Sequence, residues 1–153
     1  MRVFYSLIIA LSIPFVLLYF AFRGLRDNSY LSRWGERFGL LPDGAKQGGI
    51  LLHAASVGEF NAASPLIRAL LKTYPDLPLT ITTLTPTGSG RVQREFGEKV
   101  FHCYIPLDLP GMVSRFLHRL QPRLIIVMET EIWPNLYLQA RRRNIPHCMA
   151  NAR

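Results

Sequence analysis

The chain has 153 residues, enough for one domain with a buried core plus an appendage. Its 49% hydrophobic content exceeds what a soluble domain needs, and two cysteines, Cys103 and Cys148, exclude a disulfide framework. A net charge of +8 fits partners of opposite sign (nucleic acid, an anionic membrane surface, a phosphorylated substrate) and equally describes a basic, solvated surface.

The apolar excess lies at the N-terminus, where residues 3–22 carry no charge. As a helix this run is roughly 30 Å long, about the thickness of a bilayer core. Pro14 is tolerated in membrane helices. The apolar region of a signal peptide is shorter, about 7–15 residues, and Phe20-Ala-Phe-Arg-Gly24 is a poor cleavage site. Residues 1–26 therefore read as a retained membrane anchor. Arg23, Arg26, Arg33 and Arg37 follow it, whereas only Arg2 and the amino terminus precede it. The positive-inside rule then puts the rest of the chain in the cytoplasm. Residues 28–38 read as an amphipathic helix at the membrane surface. Tyr30, Trp34 and Phe38 recur every fourth residue, with Arg33 and Arg37 on an adjacent face. The same aromatic face suits docking on the domain core. With the polar linker at 42–49, residues 27–47 form an interfacial segment and connection.

From 48 to 153 the periodicity alternates. Strands are predicted at 50–53, 79–84, 100–105, 124–128 and 145–150, and helices at 61–73, 89–96, 111–120 and 133–143. This order predicts an α/β fold, a Rossmann-like parallel sheet with helices on both faces. Both cysteines fall in apolar strand-like runs, as reduced core cysteines of a cytoplasmic domain do. His53, His102, His118 and His147 are scattered and read as structural or solvated, and no zinc spacing occurs. Only Asn151-Ala-Arg153 follows the last strand-like run. A doubly wound sheet needs a further covering helix there, so the sequence reads as a piece of something longer.

Open α/β sheets carry their chemistry at the carboxyl ends of the strands. Glu59 follows the first strand, in His53-Ala-Ala-Ser-Val-Gly-Glu59. Gly58 permits a tight turn and close approach of a ligand to the backbone. A carboxylate within hydrogen-bond reach of a hydroxyl acts as a general base. The plainer reading is an acid in a first helical turn, worth at most about 1 kcal/mol, and this residue alone favours that reading. After the second strand, Thr85-Pro-Thr-Gly-Ser-Gly-Arg91 offers backbone N–H groups, hydroxyls and a guanidinium at a helix start. That suits a phosphate or a sugar. It also suits an ordinary capped loop, and it is not a Walker loop, since no Gly-Lys-Ser/Thr follows. After the fourth strand, Glu129 and Glu131 bracket Thr130. Two carboxylates beside an apolar run are costly unless paired or facing a polar cleft, which favours a functional reading. Trp133 suits a sugar or a core, Pro134 a first helical position, and Asn135 a cap or a hydroxyl reader.

Ser56-Val-Gly-Glu59, Thr83-Leu-Thr-Pro-Thr-Gly-Ser89, Tyr104-Ile-Pro-Leu-Asp-Leu-Pro110 and Met128-Glu-Thr-Glu-Ile-Trp-Pro-Asn135 together resemble the Kdo (3-deoxy-D-manno-octulosonic acid) transferases of lipopolysaccharide synthesis. Arg33-Trp-Gly-Glu-Arg-Phe-Gly39 and Asn151-Ala-Arg153 resemble that family too. Ala55 and Phe60 flank the first motif where the family varies. The resemblance covers the whole chain but reaches only the N-terminal part of such an enzyme. It implies the acceptor-binding half of a GT-B glycosyltransferase behind a membrane anchor, on the cytoplasmic face of the bacterial inner membrane. The implied donor is CMP-Kdo, bound mainly by a C-terminal domain absent from this sequence. The implied acceptor is the tetra-acylated lipid A precursor, lipid IVA. Transfer would be inverting, with no metal, no cofactor and no nucleic acid. Glu59 aligns with the catalytic base and Glu129 with an acid that stabilises the oxocarbenium-like transition state. Ser56, Gly58, Thr85, Thr87, Gly88, Ser89, Arg91, Thr130, Glu131 and Asn135 are the candidate substrate-binding residues. The 153-residue piece alone is expected to be inactive.

Two rival functions stay open. One is a lipid-acting GT-B glycosyltransferase that uses another sugar nucleotide. The other is a membrane-anchored glycolipid-binding module without catalysis. No G-x-G-x-x-G follows the first strand, so the dinucleotide fingerprint is missing.

Overall fold

A computed structural model describes residues 2–152. Arg153, the last residue of one predicted family motif, lies outside the described residues, as does the amino-terminal Met1.

Five short strands form one parallel sheet: β1 (Ile50–His53), β2 (Leu79–Thr83), β3 (Phe101–Tyr104), β4 (Leu124–Met128) and β5 (His147–Ala150). Their order is β3-β2-β1-β4-β5. Ile50 is in register with Leu79 on one side and with Leu124 on the other. Both faces of the central strands are covered, so β1 (ILLH), β2 (LTITT) and nearly all of β4 (LIIVM) are buried, Thr80, Thr82, Thr83 and His53 included. Leu51, Cys103, Ile125 and Val127 face a core closed by Phe116, Leu117 and Leu136. Leu52, Ile81 and Ile126 face a second core, with Phe60, Ile67, Val92 and Phe96. The predicted α/β architecture is therefore the observed one.

Helices α3 (Val57–Thr73), α4 (Pro86–Phe96), α5 (Pro110–Leu120) and α6 (Pro134–Arg142) join the strands. Two of them, α3 and α4, start well before the predicted 61 and 89. Ser56 caps α3 and Thr85 caps α4, each accepting a backbone N–H three residues ahead. These caps satisfy N–H groups that a helix start leaves unpaired. Gly58, Gly88 and Gly90 thus lie inside helices despite glycine's low helix propensity. Cys103 is buried as expected, but Cys148 is exposed, because β5 is an edge strand with its first three residues open to solvent.

The N-terminal apolar helix α1 runs Arg2–Gly24. The predicted continuous helix at 28–38 does not form. A 3-10 turn (Asn28–Leu31) and a single-turn helix α2 (Trp34–Arg37) replace it, broken at Arg33, whose φ of 58° is left-handed. This break turns the Arg33 guanidinium onto Glu36 (2.7 Å), Ser89 (3.0 Å) and the carbonyl of His102 (2.9 Å). Arg37 is buried, with Phe20 at 4.4 Å and Tyr104 at 4.2 Å from its guanidinium carbon. Tyr30 and Trp34 pack on Phe20 of α1. The aromatic face therefore docks on α1 instead of facing lipid by itself.

Candidate active site

The strand order reverses direction at β1. The chain moves outward through β2 and β3, then returns to the other side of β1 for β4 and β5. Loops leaving neighbouring strands in opposite senses open a crevice at such a point. Glu59 follows β1 and the Glu129–Glu131 loop follows β4, so these two acidic segments lie beyond the carboxyl ends of adjacent parallel strands.

Glu59 sits at the third position of α3 and is 9% exposed. One carboxylate oxygen accepts the Ala55 N–H at 2.8 Å, and the other accepts the Ser56 hydroxyl at 2.9 Å. Ser56 in turn accepts the Glu59 N–H at 3.2 Å. This is a reciprocal capping box, displaced by one residue in its second bond. Each carboxylate oxygen keeps a lone pair for a further donor. Gly58 has no left-handed backbone, and a Cβ there would meet only Ser56 Oγ at 3.7 Å. The tight-turn role expected of Gly58 is therefore not what the fold uses.

Across the crevice, Glu131 lies 2.9 Å from the imidazole Nε2 of His53, the last residue of β1. Trp133 Nε1 donates to the same carboxylate oxygen at 2.9 Å. The His53 ring is fully buried, its Nδ1 2.9 Å from Thr82 Oγ1 and its edge against the Trp133 ring. Burial pushes the Glu131 carboxyl up, but the contacts from His53 and Trp133 outweigh it and leave it below the usual range. His53 is therefore not the scattered, structural or solvated histidine that its spacing in the sequence suggests. Its place at the carboxyl end of the central strand is the signal that marks it. Glu129 has a φ of 58°, and its N–H bonds to the carbonyl of Ala150 at 2.8 Å. A non-glycine residue in this region is uncommon and costs about 1–2 kcal/mol. Thr130 is exposed in the same loop.

Asn135 is not available to a substrate. It is fully buried, its N–H bonds to Asp108 Oδ2 at 3.0 Å, and its amide reaches the Asp108 carbonyl and Ser6. Asp108 also accepts the Leu136 N–H at 2.9 Å, so it caps α6 from a different loop. Burial raises the Asp108 carboxyl above its usual value, against the donors that favour its ionised form. The sequence pattern gives Asp108 no role beyond its place in the Tyr104–Pro110 motif. The signal was a lone acid between two prolines in an apolar stretch.

The loop after β2 departs from the expected anion cradle. Thr85 Oγ1 accepts the Gly88 N–H, and the Ser89 N–H bonds to the Thr85 carbonyl. These donors are used inside α4. Ser89 is buried against Arg33 and His102. Burial and the Arg33 charge pull the His102 imidazole down to about 3. A Cβ at Gly88 would press on Thr83 at 3.2 Å, so that glycine serves close packing. Thr87 and Arg91 remain exposed. They line a depression of about 260 Å³ with Arg94, Asp27 and, from α3, Val57, and Arg91 pairs with Glu95 at 3.5 Å.

A larger groove of about 640 Å³ separates α1 from the loops after β3 and β4. Ile9, Val16, Phe20, Ile105 and Ile132 give it apolar walls, and Arg37, Asp108, Thr130 and Glu131 give it polar ones. Glu59 and Glu129 do not line it. Among the described residues no three His, Cys, Asp or Glu side chains cluster as metal ligands.

A sequence-family model described as 3-deoxy-D-manno-octulosonic-acid transferase (kdotransferase) matches residues 32–153. The chain belongs to the Kdo transferase family. A Kdo transferase of Haemophilus influenzae is 47% identical over 99% of the chain and 36% of the relative. A probable mitochondrial Kdo transferase of Arabidopsis thaliana is 39% identical over 92% of the chain and 32% of the relative. A Kdo transferase of Bordetella pertussis is 39% identical over 68% of the chain and 25% of the relative. The chain thus spans about a third of the length of the first of these relatives or less. The matched residues include the Kdo transferase segments around Glu59, Glu129 and Arg33, and the match begins just after α1 and its 3-10 turn.

Proposed function

We propose that this chain is the acceptor-binding part of an enzyme that transfers Kdo from CMP-Kdo to the lipid A precursor. Residues 1–26 hold it to the membrane, 27–47 connect, and 48–153 form the acceptor domain on the cytoplasmic face of the inner membrane. The donor binds mainly to a C-terminal domain, and neither a metal nor another cofactor takes part. What supports this reading is that Glu59 and the Glu129–Glu131 loop follow the adjacent strands β1 and β4, where the strand order reverses.

In the proposed step a glucosamine hydroxyl of the acceptor attacks the anomeric carbon of Kdo. The bond from that carbon to the CMP phosphate oxygen breaks, and CMP leaves with the electron pair. Glu59 takes the hydroxyl proton as the new glycosidic bond forms. Single displacement inverts the anomeric centre. Positive charge grows on the sugar ring in the transition state, and the Glu129 carboxylate stabilises it. Glu131, held by His53 and Trp133, adds fixed negative charge to the same crevice. Thr87, Arg91 and Arg94 are the candidates for an acceptor phosphate, because they are basic or hydroxylated and exposed beside the first turn of α3.

One observation favours a second reading. The capping box by itself explains why a glutamate stands at position 59, as it would in a glycolipid-binding module without catalysis. Mass analysis of the lipid product, with the complete protein, CMP-Kdo and the lipid A precursor, separates the two. A mass gain of one or more Kdo units supports the transferase. No gain with an intact donor domain leaves the binding module or a different sugar nucleotide.

A further inference from the structure

The apolar helix α1 presents two different faces. Tyr5, Ser6, Ile9, Ser12, Val16 and Phe20 are half-buried and turn toward the domain. Phe4, Leu7, Leu11, Phe15, Leu18 and Phe22 are exposed, at the three- and four-residue spacing of a single stripe. The inner face is attached at both ends. Near the start, the Tyr5 hydroxyl donates to Asp108 at 3.0 Å, and Asn135 donates to Ser6 Oγ at 3.1 Å. Near the end, Phe20 packs on Tyr30, Trp34 and the Arg37 guanidinium. Residues 5 and 20 are about 22 Å apart along a helix axis, most of a hydrocarbon core of about 30 Å.

A helix crossing the bilayer with these contacts intact would carry Asp108, Asn135 and Arg37 into the hydrocarbon, beside irregular loops that lipid cannot satisfy. We infer that α1 does not cross the membrane but lies in the plane of one leaflet, its Phe4–Leu7–Leu11–Phe15–Leu18–Phe22 stripe in lipid and its other face on the domain. This rests on α1 being the membrane-binding element but not on the sugar transferred. The partner is an anionic bilayer surface. The stripe is wholly apolar and belongs to a helix whose most apolar 18-residue window has mean hydropathy 2.2, and the exposed Arg23 and Arg26 follow at its end. Arginines beside an apolar stripe are what an in-plane helix sets against acidic headgroups. In this arrangement the groove between α1 and the strand ends lies at headgroup level.

Topology and depth test this on the complete protein in its native membrane and in vesicles containing anionic lipid. Arg2→Cys and Gln47→Cys are made separately on a Cys148→Ser background and labelled with a membrane-impermeant maleimide. An in-plane helix leaves both sites reactive from the same side, and a crossing helix puts them on opposite sides. Nitroxides at Leu7, Leu11, Phe15, Leu18 and Phe22 then report depth. An in-plane helix gives one shallow depth for all five. A crossing helix gives a maximum at Leu11 and Phe15 and shallow ends, which overturns the inference. Spin coupling between copies at Leu11 without lipid contact also overturns it, since the stripe is then covered by a second copy. These substitutions fall on exposed side chains or beyond the span, so loss of fold is not their expected effect. A crossing result would leave Kdo transfer intact, which keeps this test separate from the catalytic proposal.

Discussion

Replacing Glu59 by glutamine separates a helix cap from a base. A capping box accepts glutamate or glutamine at its third position. In Glu59→Gln the side-chain carbonyl still accepts the buried Ala55 N–H, and the amide turns to Ser56 Oγ, which accepts as well as donates. The stability loss is then under about 1 kcal/mol. In the proposed step the carboxylate that takes the proton is then gone, and general-base loss lowers the rate by about 10²–10⁴, or roughly 3–5 kcal/mol of barrier. Two companion variants fix the scale. Glu59→Ala strands the buried Ala55 N–H and costs about 1–3 kcal/mol. Ser56→Ala removes the N-cap and costs about 1 kcal/mol while leaving the carboxylate in place. Urea unfolding gives the stability of each, and single-turnover Kdo transfer with the complete protein gives the rates. If Glu59 only caps α3, activity follows stability and the glutamine variant is the most active of the three. If Glu59 is the base, the glutamine and alanine variants are equally impaired and Ser56→Ala retains most activity. A Glu59→Gln enzyme within about threefold of the parent rate refutes the base assignment, because that factor is smaller than general-base catalysis supplies.

Glu129→Gly relieves a left-handed backbone worth about 1–2 kcal/mol, less about 0.5–1 for the extra freedom of unfolded glycine, so net stabilisation of about 0.5–1 kcal/mol is expected. Transfer should fall at the same time, and a variant that is both less stable and fully active would overturn the strain and the role together. Asp108→Asn leaves the Asn135 N–H facing an amide, so a loss of about 1–3 kcal/mol is expected in urea unfolding. Faster hydrogen exchange at the start of α1 should accompany it, since Tyr5 shares that carboxylate oxygen. The buried imidazole of His102 stays neutral down to about 3, while an unfolded histidine protonates near pH 6.5. Its contribution is therefore present above about pH 6.5 and lost as pH falls toward the folded value, at up to about 1.4 kcal/mol per pH unit. Urea midpoints of His102→Asn should fall less between about pH 6 and pH 5 than those of the parent, and equal slopes would contradict the buried neutral ring.

Local patterns in the sequence determined the alternation of strands and helices, the apolar N-terminal helix and the acidic loops at strand ends. Each depends on near neighbours: an apolar run such as Leu124–Met128 reads as a buried strand wherever it lies. Helix starts were less legible, because Ser56 and Thr85 act through single hydrogen bonds that outweigh the glycines beside them. Only the tertiary structure decided the rest. The sheet order set the loops after β1 and β4 on neighbouring strand ends and joined His53 to Glu131, residues far apart in the chain. It also took Asn135 and Ser89 out of the candidate site, since partners from other segments, Asp108 and Arg33, already hold them. Arg37 and the aromatic residues around it changed from a membrane face to a buried contact with α1 for the same reason. Such pairings depend on which surfaces meet, and periodicity carries no record of that.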